Sequence, residues 1–307
     1  MNKEQRAEFA TQLAVASAPD GFGMRQKLFT PVNFGAFDLR HRLVVDWGRS
    51  VADEIAGAGR APVAISAGEL SGGFVIHDPG AFACSDASTS PSAPNAPGER
   101  IWCVVIEAAQ LARQVTVARL AAPRRGNGAH DSFERILANH VVAARRARSS
   151  GFDRIELDAG AGSVMDRSSR RREASAVLSA DDFDFFDDLL QALLGACGRE
   201  RVGVRFAPFR RGGSLARGPV LDQAVRSAHE REIAYVQIVE AKPAARGDAR
   251  AIRLPLTAQA LRRALPGAFI ASGGSEFARA TALVENRWVD AYCFQTDLLQ
   301  LERGRLA

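Results

Sequence analysis

The stretch from 133 to 206 decides the fold: FERILANHVVAARRARS (133–149), GFDRIELD (151–158), DDFDFFDDLLQALLGAC (181–197) and VGVRF (202–206). In the first segment Ile136, Leu137, His140, Val141 and Ala144 lie on one stripe at helical spacing. The third segment opens on acidic residues, which suit the positive end of a helix, and stops before Gly198. The second and fourth are short, strand-like runs. Helix, strand, helix, strand is the repeating unit of a parallel sheet with right-handed crossovers.

The same alternation extends in both directions. Strands are predicted at 43–47, 74–77, 115–120, 154–158, 202–206, 235–240, 269–272 and 291–294, with helical patterns between them, one of them over 99–113. Eight such strands close into a (β/α)8 TIM barrel, an α/β fold that accounts for the whole length as a single domain. The main competitor, an open doubly wound sheet, calls for G-x-G-x-x-G after its first strand. Val45-Asp46-Trp47-Gly48-Arg49 does not supply it. The expected organisation is an N-terminal helical extension over 1–27, with its helix at 3–16, and a barrel over 28–307. The barrel opens on a short hairpin (28–33 with 36–39). A long Pro-, Ser- and Gly-rich loop at 77–98 is expected to lie over the C-terminal mouth.

Composition narrows the function classes. Of 307 residues, 47% are hydrophobic and 24% charged, the balance of an ordinary globular protein. No apolar run reaches the ~18 residues of a membrane span. The first twenty residues carry scattered charges and read as no signal peptide. Cys84, Cys103, Cys197 and Cys293 form no C-x-x-C pair, which fits idle thiols in a reducing cytoplasm better than a disulfide frame or zinc site. No metal site is expected, and no G-x-S-x-G elbow is present. Lysine occurs only at 3, 27 and 242, so arginine carries nearly all of the positive charge. A net charge of +5, with an acidic run at Asp181, Asp182, Asp184, Asp187 and Asp188, argues against nucleic acid.

In such barrels the chemistry sits at the C-terminal strand ends. There the sequence offers Asp46, His77, Asp78, Arg119, Asp158, Arg205, Gln237 and Glu240. Asp158 and Arg205, on consecutive strands, form the most suggestive pair: a general base with an orienting cation, or a structural ion pair. Asp46 and the proton-transfer candidate His77 complete the catalytic set. Arg124, Arg125, Arg167, Arg170–Arg172, Arg210 and Arg211 fall in loops of the same mouth and point to an anionic small-molecule ligand. The oligomeric state stays open.

Several stretches resemble the old yellow enzyme family of FMN-dependent NAD(P)H oxidoreductases. They are Leu28-Phe29-Thr30-Pro31 with Gly35 and Arg42-Leu43-Val44, Pro94–Gly98, Gly151–Leu157, Arg201–Pro208 and Phe269–Gly274. The resemblance runs in order along nearly the whole chain and implies FMN as cofactor, held by Arg205, Ser272, Gly273 and Gly274. It also marks departures. The family's Gln on the third strand falls at Ala118, its substrate-positioning pair at Asp158 and Ala161, its tyrosine at Ser163, and its phosphate-gripping Gly-Arg at Cys293-Phe294. The chain stops soon after the eighth strand, where the family usually continues. These departures imply impaired FMN binding and ene-reduction. The alternatives are a flavin-free barrel doing acid–base chemistry on an anionic substrate, or a non-catalytic paralogue. Phe294→Arg with Ala118→Gln is expected to raise FMN affinity.

Overall fold

The protein is described from a computed structural model over residues 27–34, 37–46, 72–77, 103, 105–107, 109–120, 132–160, 180–207, 219–239, 261–262, 267–273 and 277–295. A short hairpin pairs β1 (Val32–Phe34) with β2 (Phe37–Leu39). Eight strands follow: β3 (Leu43–Asp46), β4 (Phe74–His77), β5 (Val115–Leu120), β6 (Arg154–Asp158), β7 (Val202–Phe206), β8 (Tyr235–Val239), β9 (Phe269–Ser272) and β10 (Ala291–Gln295). They form a closed barrel in sequence order, all parallel, with β10 returning to β3. This is the predicted (β/α)8 architecture, and each strand lies within a residue of its predicted bounds. The helix at 3–16 and the loop at 77–98 beyond His77 fall outside the described residues, as does the 1–27 extension apart from Lys27.

Four helices of the outer ring are described: α1 (Phe133–Ser149), α2 (Ala180–Cys197), α3 (Pro219–Glu230) and α4 (Phe277–Glu285). Ser132 starts α1, its hydroxyl accepting a hydrogen bond from the Arg135 amide. Gly198, at φ 87°, follows the last residue of α2 in a conformation that residues with a side chain rarely adopt. Residues 103, 105–107 and 109–111 are helical, as expected for 99–113. Among the described residues no helix is long and apolar enough to cross a membrane.

Strand alternation divides the core. Ala118, Leu120, Ile155, Leu157, Val204 and Phe206 point outward into the layer under α1 to α3. Leu43, Val45, Val75, Ala271, Tyr292 and Phe294 do the same under α4 and the turn Lys27–Phe29. Val44, Phe74, Ile76, Val117, Tyr235, Ile270 and Cys293 fill the interior, and the hairpin's Phe34 and Leu39 pack onto them. The hairpin closes the N-terminal end of the barrel. Arg154, fully buried there, donates to the Phe34 carbonyl at 2.9 Å and lays its guanidinium 4.0 Å from the Phe37 ring centroid.

Candidate functional site

β6 builds the site. Its residues alternate, with Ile155 and Leu157 facing the helices and Arg154, Glu156 and Asp158 facing the barrel interior. Glu156 sits at mid-height and gathers two neighbours. Arg119 on β5 donates from Nε to its Oε1 at 2.6 Å, and the Tyr235 hydroxyl on β8 donates to its Oε2 at 2.9 Å. The same guanidinium donates from Nη1 to Asp46 Oδ2 on β3 at 2.8 Å. Four strands are thus joined by one buried polar chain.

Burial works against the charge on Arg119, but Asp46, Glu156 and Asp158 outweigh it and raise its pKa. Burial pushes the Glu156 carboxyl up, with Arg119 and Arg205 opposing. Burial and Glu156 together push the Tyr235 phenol up. The tyrosine therefore keeps its proton and serves as a donor.

Nearer the mouth, Arg205 Nη1 donates to Asp158 Oδ1 at 2.8 Å, from directly opposite positions on β7 and β6. The Gly160 amide donates to the same oxygen at 3.1 Å. A Cβ on Gly160 would come within 2.6 Å of the Ala207 Cβ and 3.0 Å of Asp158 Oδ1, so this turn has room only for glycine. Gln237, opposite Arg205 on β8, donates to the Ser272 hydroxyl of β9 at 3.0 Å. Three buried polar atoms here have no partner among the described residues: Arg119 Nη2, Arg205 Nε and Gln237 Oε1.

The structure brings Asp46, Asp158, Arg205 and Ser272 into one barrel interior, in three bonded groups: Asp46 with Arg119, Glu156 and Tyr235, Asp158 with Arg205, and Ser272 with Gln237. Gly273 follows Ser272 at φ 121°, and Gly274 lies outside the described residues. So do Asp78, Glu240 and the arginines of the mouth loops.

His77 is a correction. It stands at the end of β4, but alternation turns it outward, and its ring meets Phe152 edge-on with centroids 6.1 Å apart. Burial lowers its pKa to about 4, against a partial pull from Asp46, so it is a neutral core residue near neutral pH. The same parity corrects the two positions assigned to lost flavin contacts. Ala118 and Phe294 face the helical layers and not the mouth; the inward residue beside Ala118 is Arg119.

Glu156 and Tyr235 are the interior residues that the sequence reading missed. The signal for Glu156 was its place between Arg154 and Asp158, three charges at strand period. Tyr235 carried no comparable signal. Among the described residues no group of three or more His, Cys, Asp or Glu is placed to hold a metal ion.

No protein-family model matches the chain. Curated relatives do. One, of Oryza sativa subsp. japonica and provisionally named 12-oxophytodienoate reductase 5, is 27% identical over 175 residues, 53% of this chain and 46% of that protein. Chanoclavine-I aldehyde reductase of Penicillium roqueforti is 28% identical over 164 residues, 50% of this chain and 44% of that protein. The chain spans about half the length of the curated relatives it matches. Among solved structures, the old yellow enzyme homologue from Zymomonas mobilis superposes with a TM-score of 0.65 at 18% identity, covering 88% of each chain. Morphinone reductase in complex with tetrahydroNAD gives 0.64 at 20% identity, covering 91% of this chain and 90% of the other.

Proposed function

We propose, for this barrel of the old yellow enzyme family, a flavin-type oxidoreductase role in which FMN is held at the C-terminal mouth and the family's ene-reduction is impaired. One observation carries the reading. Arg205 faces the interior with Nε buried and without a partner among the described residues, beside a Gln237 amide that is also half satisfied. A buried unmet donor costs about 1–3 kcal/mol, so a ligand that satisfies it is stabilised. The edge of an isoalloxazine ring alternates carbonyl acceptors with an N–H donor and fits a guanidinium next to an amide.

When bound, FMN supplies two-electron redox chemistry. The chain's own residues would do the rest. Arg205 would hold the flavin, its guanidinium oriented by Asp158 through the 2.8 Å ion pair. Gly273, at positive φ, offers a turn whose backbone can approach a phosphate closely, and Ser272 braces Gln237. Asp158 is also the reason for impairment. An unpaired carboxylate about 4 Å from a developing oxyanion opposes it by roughly 1–4 kcal/mol, an upper bound for Asp158 because the Arg205 guanidinium offsets part of its charge. That slows a carbonyl-activated reduction by up to about a thousandfold.

The test is a titration of the full chain with FMN, followed by flavin absorption and fluorescence. Saturable binding that Arg205→Met weakens by at least about tenfold supports the reading. No saturation, or binding indifferent to Arg205, removes it. The Asp158–Arg205 pair itself favours one other reading, a flavin-free barrel in which Asp158 acts as a general base. A chain that ignores FMN yet loses a turnover assay on Asp158→Asn would mark that case.

A further inference from the structure

Towards the C-terminal end of the barrel interior two guanidiniums are committed to carboxylates. Arg119 lies between Asp46 and Glu156, and Arg205 holds Asp158, so at this end three carboxylates face two cations among the described residues, the third interior guanidinium, Arg154, lying at the opposite end under the hairpin. The outermost of these side chains is Asp158, 19% exposed against 13% for Arg205 and 6% for Arg119. Its Oδ1 accepts from Arg205 and from the Gly160 amide. Its Oδ2 has no partner among the described residues. The two contacts to Oδ1 fix the orientation of the carboxylate that carries it. Gln237, on another strand, supplies a second sign that the mouth takes a ligand. It is completely buried on the strand next to Arg205, and its amide can satisfy only one of its two polar atoms on Ser272, whichever way it is turned.

We infer that Asp158 Oδ2 is the recognition point for a cationic small molecule, an ammonium- or iminium-type nitrogen, entering the C-terminal mouth. A charge-assisted N–H to carboxylate bond is among the stronger contacts a pocket can form, and a pre-oriented carboxylate loses little entropy in making it. The N–H groups of Arg119 and Arg205 that lack a partner among the described residues belong to more deeply buried side chains. A carboxylate ligand would face Asp158, the most exposed of these described side chains, and be repelled by it. The inference rests on the mouth being the ligand site, as the flavin reading does, but not on flavin being bound.

The experiment uses three isosteric probes on the full chain near neutral pH: benzylammonium, benzyl alcohol and benzoate. Binding is followed by calorimetry and by ligand-observed NMR. Benzylammonium is expected to bind saturably and at least about tenfold more tightly than benzoate, a difference of roughly 1.4 kcal/mol. Asp158→Asn, which keeps both hydrogen bonds to Oδ1, is expected to abolish that preference, with a thermal melt confirming that it folds. Benzoate binding as well as benzylammonium overturns the inference, as does binding of none of the three, or a preference that survives Asp158→Asn. The ranking on the unmodified chain stands whether or not the variant folds. FMN titrated in parallel separates the two readings: failure to bind FMN with the ammonium preference intact removes only the flavin role.

Discussion

Arg119 reaches past the intervening strand β4 to hold Asp46 at 2.8 Å, while its Nε grips Glu156 at 2.6 Å. Both ion pairs are almost fully buried, so their strength lies in mutual dependence. Removing one partner leaves a desolvated charge behind, which typically costs 3–5 kcal/mol.

Arg119→Met is therefore expected to lower unfolding stability by about 3–5 kcal/mol. Combining it with Asp46→Asn and Glu156→Gln, which removes the stranded charges, is expected to recover much of the loss. Urea denaturation of the single and combined variants measures this. A combined variant as unstable as Arg119→Met would mean that shape and not charge holds the chain together.

Gly203 lies where the Tyr235 ring crosses the barrel: a Cβ there would run into the ring's Cζ. Gly203→Ala is expected to destabilise by about 1–3 kcal/mol through overpacking and to pull the phenol away from Glu156. Tyr235→Leu in the same chain is expected to relieve the clash. The check is a double-mutant cycle on unfolding free energy; additivity within about 0.5 kcal/mol would refute the coupling.

His77 gives a pH prediction. Its folded pKa of about 4 lies below the 6.5 of an exposed imidazole. Between those values the unfolded chain binds a proton that the folded chain does not. Stability from this group is thus lost on acidification below about pH 6.5, by roughly 3 kcal/mol by pH 4, and regained as pH rises. Glu156, shifted upward, contributes a slope of opposite sign above the ordinary carboxylate range. The measurement is the difference between the native chain and His77→Gln in urea at about pH 4.5 and pH 7. Equal differences at both would show that His77 is not held neutral by burial.

Parity along the strands reverses one expectation from sequence. Ala118→Gln with Phe294→Arg puts a polar and a charged group into the apolar layers beneath the helices. Loss of stability, by several kcal/mol on the usual cost of burying unpaired polar groups, is expected, with no gain in FMN affinity. A thermal melt and an FMN titration of the same double variant decide it. Tighter FMN binding by a well-folded variant would mean that these side chains reach the mouth after all.

Much of the fold was legible because its signals are local. The helical stripe of 133–149, the acidic start and glycine end of 181–197, and eight spaced apolar runs gave the barrel without any long-range information. The site was legible only in part. Asp158 and Arg205 were paired correctly because consecutive barrel strands are neighbours. Asp46 was placed at the mouth, but its partner Arg119 sits two strands away, and no sequence spacing encodes that contact.

The sequence by itself determined the order of elements, the closure of eight strands and the charged side chains available at their ends. Only the tertiary structure decided which of those side chains look inward. Most barrel strands are buried on both faces, so apolar residues occupy both parities and the two-residue period is silent about direction. β6, with Arg154, Glu156 and Asp158 on one side and Ile155 and Leu157 on the other, is the exception. Elsewhere direction follows from what each face meets across the barrel or under a helix. That is why His77 became a core residue while Glu156 and Tyr235 became the centre of the polar chain.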